Sequence, residues 1–192
     1  MTEATRIQIE NMKSQTYGVE VEMNNITRIS AAKTAATFFG TGRYEDTHRS
    51  NGYESWSAWD AQGREWKFQK DVSIAGPDSE KCELVTPVLT YEDMELLQGL
   101  IRELRHAKAK SSPSRGCGVH IHIGSDGHTP QTIRNLVNLM ASHEDQLTKA
   151  IVMVKHFCNI YGSKNAEWLS LVYWDCLVYP AIRASYGVRY PL

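Results

Sequence analysis

Apolar and polar positions alternate with the two-residue period of a half-buried strand in two places. Tyr17, Val19, Val21 and Met23 interleave with Gly18, Glu20 and Glu22, and Val119, Ile121 and Ile123 interleave with His120, His122 and Gly124. WSAWD and REWKFQKD flank Ala61-Gln62-Gly63 and predict a β-hairpin with a glycine-containing turn. A short strand runs from Cys82 to Thr86 and is closed by Pro87. Helical spacing predicts three helices. Thr27 caps an alanine-rich helix that ends near Gly40, and Met94, Leu97, Leu100, Ile101 and Leu104 share one face of a second. Thr129-Pro130 opens a long third helix, whose stripe runs Ile133, Leu136, Val137, Met140, Leu147, Ile151 and Val154. Residues 1–15 form a polar lead-in, 40–52 a loop, and 158–192 an atypical aromatic-rich tail without clear period. This order predicts an α+β domain: a largely antiparallel sheet with helices packed on one face, the other face left to hold a site.

Length and charge narrow the picture. At 192 residues the chain suits one well-packed domain. A net charge of −1 gives no footprint for nucleic acid or an anionic membrane, so neither is expected as a partner. No apolar run approaches the roughly 20 residues of a membrane span, and the N-terminus lacks the apolar centre of a signal peptide. Cys82, Cys117, Cys158 and Cys176 form no CxxC pair, which argues against a zinc knuckle or disulfide framework and for a cytoplasmic setting.

Four motifs carry chemistry. Glu20 and Glu22 point to one side of their strand, roughly 6–7 Å apart along it. Side-by-side carboxylates repel unless a cation sits between them, and oxygen ligands suit Mg²⁺ or Mn²⁺; a solvated polar strand face is the bland alternative. His120 and His122 share a face in the same way, and an imidazole can ligate a metal or meet a polyphosphate. Glu83, in a strand that ends at a proline, is either an edge charge or a third acid aimed at the same cavity. In WKFQKDVSI, Lys67 and Gln69 share a face that Asp71 also reaches if the strand extends that far. Lys67 suits a phosphate or an acidic substrate, and Asp71 suits a metal or an amine; a solvated strand end is the equal alternative for both. Arg115 stands in a basic loop from which it can reach a phosphate. GxxxxGK[ST], GxGxxG ahead of a helix, and GxSxG are all absent, so a nucleotide site here requires metal-bridged carboxylates rather than a phosphate loop.

The order of the motifs is more specific than any one of them. YGVEVEM, a helix ending in FG, GREWKFQKDVSI, CELVTPVLTYEDM, a helix, SRGCGVHIHIG and TIRNLVNLMASHEDQL follow one another over residues 16–157. This resembles the amidoligase family of glutamine synthetase-like carboxylate–amine ligases. The resemblance implies a partial glutamine synthetase catalytic-domain-like fold, with the sheet forming a funnel. It implies ATP bound through Mg²⁺ (or Mn²⁺), an acyl phosphate, and an amine that displaces phosphate. It matches Glu20, Glu22, Glu83, His120 and His122 to the family's metal- and nucleotide-binding positions, with Lys67, Asp71 and Arg115 as candidate catalytic groups. Substrates would be small molecules, peptides or proteins bearing a carboxylate and an amine. Past Phe157 the sequence departs from the family pattern, so a truncated or diverged member is expected. Two other readings share the residues: a metal-dependent hydrolase using the His/Glu cluster, and a non-catalytic remnant that binds nucleotide or a partner.

Overall fold

The computed structural model describes residues 2–47 and 52–150. Six strands form one sheet: β1 (Tyr17–Met23), β2 (Tyr44–Asp46), β3 (Trp56–Trp59), β4 (Glu65–Gln69), β5 (Cys82–Val85) and β6 (Val119–Ile123), in the spatial order β2-β3-β4-β5-β1-β6. Every pairing is antiparallel. Four α-helices accompany them: α1 (Glu3–Lys13), α2 (Arg28–Phe38), α3 (Met94–His106) and α4 (Pro130–Ala150). The α+β class expected from the sequence is the class observed. The chain divides into two compact units, Met1–Gly124 and Ser125–Leu192. The whole sheet lies in the first, and α4 is the described element of the second.

Local sequence accounts for the helix ends. The Thr27 side chain accepts from the Ser30 amide and starts α2, and Thr129 does the same for Thr132 at the head of α4, each satisfying an otherwise unpaired amide. Thr90 and Asp93 form a reciprocal capping box ahead of α3. Two elements go beyond the sequence reading. The polar lead-in is helical as α1, with no buried residue. The loop over 40–52 contains β2, only three residues long and carrying Glu45 and Asp46, too short and polar for periodicity to show. The last two positions of the third helical stripe, Ile151 and Val154, and the tail fall outside the described residues.

One face of the sheet is the core. Val19, Val21 and Met23 of β1, Ala58 of β3, Trp66 and Phe68 of β4, and Cys82 and Leu84 of β5 are buried against Ala31, Ala32, Ala35 and Ala36 of α2 and Leu97, Leu100 and Leu104 of α3. The small alanines let α2 lie close to the sheet, and Gly99 of α3 sits where an added Cβ would come within 2.7 Å of the Phe38 ring. By strand parity every residue between these apolar positions projects from the opposite face, which α2 and α3 leave uncovered.

Candidate metal centre

Register assembles the polar face. Glu22 lies directly opposite Glu83, and Glu20 is flanked by Val85 on one side and His120 on the other. His122 pairs with Gly18, which carries no side chain to fill the space between them. On β4, Gln69 is opposite Glu83 and Lys67 opposite Val85. The strand parity of Glu20/Glu22 and of His120/His122 holds, and β1 brings the two pairs side by side.

The carboxylates are held by specific donors. The Gly118 amide donates to Glu22 Oε2 at 2.6 Å, and the Ser73 hydroxyl donates to Glu22 Oε1 at 3.4 Å. Gln69 Nε2 donates to Glu83 Oε2 at 2.9 Å. His120 Nδ1 lies 3.0 Å from Glu20 Oε2. His122 Nε2 approaches Glu20 Oε1 to 3.2 Å, but that buried nitrogen has no aligned hydrogen-bond partner. Asp71 lies past the end of β4, where strand parity no longer applies. A turn in which the Ser73 amide donates to Asp71 Oδ1 at 2.7 Å brings it in beside Glu22.

Two overlapping sets of ligand atoms result. Glu20, Glu83 and His120 offer one atom each, all within 4.8 Å of one another; Glu22, Asp71 and Glu83 form the second set, and Glu83 belongs to both. Glu22 and Glu83 are 4% and 5% exposed, so their charges have little water to screen them. Burial, reinforced by Glu20, Asp71 and Glu22, pushes the Glu83 carboxyl up to about 7. Burial also raises Glu22, against the pull of the Gly118 amide. The His120 hydrogen bond holds Glu20 below its ordinary range, and the same bond raises His120. Oxygen-rich sets with one imidazole and an unmet positive-charge demand fit hard divalent cations.

The remaining candidates divide. Lys67 projects from the same face, half exposed, with Glu65 Oε2 at 3.9 Å. Arg115 is not brought to the acids: its guanidinium meets Glu80 at 3.9 Å. Sequence reading did not single out Ser73 or the Gly118 amide as supports for Glu22. Gly118 is foreshadowed by the glycines around the HxH strand, which permit close backbone approach; nothing in the sequence marks Ser73.

The fold and site together define an α+β protein whose sheet face gathers carboxylates and an imidazole that could hold a metal ion. The chain matches over residues 13–169 the family described as "Putative amidoligase enzyme", and it belongs to that family. The match extends beyond residues 16–157 at both ends, and the description is of a ligase-type enzyme. Comparisons with curated proteins and with solved structures return no match. Among the described residues no helix is long and apolar enough to cross a membrane.

Proposed function

We propose that this chain acts as an ATP- and Mg²⁺-dependent (or Mn²⁺-dependent) amidoligase, on a sheet of glutamine synthetase catalytic-domain-like design. The observation that carries the reading is the Glu22–Glu83 register pair, which joins two cation-ligand sets through one shared buried acid. Family membership supplies the reaction class. Glu20, Glu83 and His120 would hold one cation and Glu22, Asp71 and Glu83 a second, with His122 beside Glu20. Bound there, divalent cations neutralise the phosphate chain, which is most of what phosphoryl transfer requires of a protein.

In this reading a substrate carboxylate oxygen attacks the γ-phosphorus of ATP and the bond to the β-phosphate oxygen breaks. ADP leaves with the electron pair. The amine nitrogen then bonds to the acyl carbon, phosphate departs, and the nitrogen gives up its proton. Lys67, on the strand beside that of Glu83 and half exposed, would pair with the anionic acyl phosphate. Gln69, Ser73 and the Gly118 amide keep the acids aimed.

Calorimetric titration of Mg·ATP tests the assignment. Glu20→Gln and Glu22→Gln are each expected to weaken binding about tenfold or more, the scale of losses at metal sites, with little change in melting temperature. Normal Mg·ATP binding by either variant removes that residue from the metal set. Tight Zn²⁺ binding with no affinity for nucleotide makes the site a hydrolase's instead, and nucleotide binding without ADP release across mixtures of acids and amines makes the chain a binding remnant.

A further inference from the structure

Among the described residues β6 ends the sheet and pairs with β1 alone. Its two faces are unlike. His120 and His122 lie on the polar one. Val119, Ile121 and Ile123 lie on the other, where they are 44%, 56% and 37% exposed and stand outside the core cluster that α2 and α3 cover. The strand carries no lysine, proline or acid, the residues that usually blunt an edge. The opposite edge is protected in that way: β2 is three residues long and carries Glu45 and Asp46.

The backbone of β6 restricts what can pair with it. The Glu22 amide donates to the Gly118 carbonyl at 3.0 Å and the Gly124 amide to the Thr16 carbonyl at 2.8 Å, so the even-numbered residues are bonded to β1. In an antiparallel ladder the residues between turn their amides and carbonyls the other way. Those of Val119, Ile121 and Ile123 therefore point to the free edge. The strand, Val-His-Ile-His-Ile, reads alike by residue type in both directions. Two copies laid antiparallel about Ile121 set Ile121 against Ile121, Val119 against Ile123 and His120 against His122. Every outward amide and carbonyl of these three residues then meets its complement, and apolar side chains meet only apolar ones. A shift of one residue sets isoleucine against histidine, and a shift of two leaves outward groups unpaired at both ends. A two-fold axis through Ile121 closes the contact after two copies.

We propose that the chain self-associates through β6 as a two-fold dimer, with the sheets of both copies joined edge to edge. The partner's His122 then stands across from His120, and the polar faces of the two copies run on as one surface. This dimer does not rest on the ligase reading. An edge of five residues is short, so the association is weak, with a dissociation constant of about 10 μM, as suits a small interface.

Sedimentation velocity of the full chain, from about 1 μM to about 100 μM, is the test. The weight-average mass of the wild type is expected to rise toward twice the monomer's and to stop there. Ile121→Lys sets two like charges against each other on the axis, and Ile121→Pro deletes an outward amide that an edge strand can spare. Each is expected to stay monomeric, with circular dichroism confirming the fold, and the lysine variant stands in if the proline one fails to fold. Mixing reads the register. Val119→Lys/Ile123→Lys chains and Val119→Glu/Ile123→Glu chains are expected to be monomeric alone and to pair when combined, because each lysine then faces a glutamate. Assembly that grows past the dimer, a dimer that survives the Ile121 variants, or a mixture that stays monomeric overturns the proposal. So does a wild type that is monomeric throughout; if its Ile121→Lys variant also melts several degrees lower, the edge belongs to a segment of the same chain.

Discussion

Glu83 is the residue on which the site turns, because it is buried and belongs to both candidate metal-ligand sets. Its carboxyl titrates near 7 in the fold against an ordinary 4.5. Between those values the folded chain retains a proton that the unfolded chain releases. The contribution of Glu83 to stability is therefore most favourable below pH 4.5 and is lost as the pH rises toward 7. Urea unfolding without divalent ions is expected to show that decline, and saturating Mg²⁺, which binds the ionised form, to flatten it. Glu83→Gln removes the buried charge altogether. At pH 8 it should raise the metal-free melting temperature, at about 2–4 °C for each kcal/mol recovered, and abolish most of the Mg²⁺-induced rise; scanning calorimetry reads both. The sequence made Glu20 and Glu22, or His120 and His122, legible as pairs because parity is a local property of a strand. It left Glu83 between two readings because partnership across strands is not local. Asp71 shows the limit most clearly, since a turn rather than a continued strand carries it into the cluster.

Between elements, the sheet is pinned by a few polar contacts that apolar patterning does not reveal. The Arg64 guanidinium joins Asp60 at 2.7 Å to Asp93 at 2.8 Å, tying the β3–β4 hairpin to the start of α3. Its hydrogen bond draws Asp93 down to about 2. The stability this lends is fully present above the ordinary carboxyl value of 3.8 and disappears as the pH falls toward 2. Asp60 is 1% exposed at the side chain, so Arg64→Met strands a buried charge. A loss of about 3–5 kcal/mol is expected in urea unfolding, with part restored in an Arg64→Met/Asp60→Asn double variant. A second contact positions the site itself. Gly116 has φ +78°, and a Cβ there would lie 3.0 Å from the Ser73 carbonyl oxygen. Gly116→Ala should push apart the loops that hold Glu22 through Ser73 and Gly118. The measurable outcome is weaker Mg²⁺ affinity at a melting temperature that falls by only a few degrees.

For the whole molecule, the strands and helices with sustained periods stood out in the sequence, and the α+β class followed from their order. The short charged strand β2 and the solvated helix α1 did not, because neither buries a stripe that a pattern could mark. Strand order was equally hidden: β1 lies between β5 and β6, far from both in the chain. That interior place has a consequence for how the gene can change. Core and acidic face are written into alternate letters of one seven-residue strand. Inserting or deleting a single residue in the middle of β1 would turn Glu20 or Glu22 inward and a valine outward, damaging both layers at once. Insertions of two residues preserve the alternation and displace the acids only along the strand. Length variation within this segment should therefore be tolerated in even steps, and an insertion scan of β1 that follows soluble expression should show losses at odd steps and survivors at even ones.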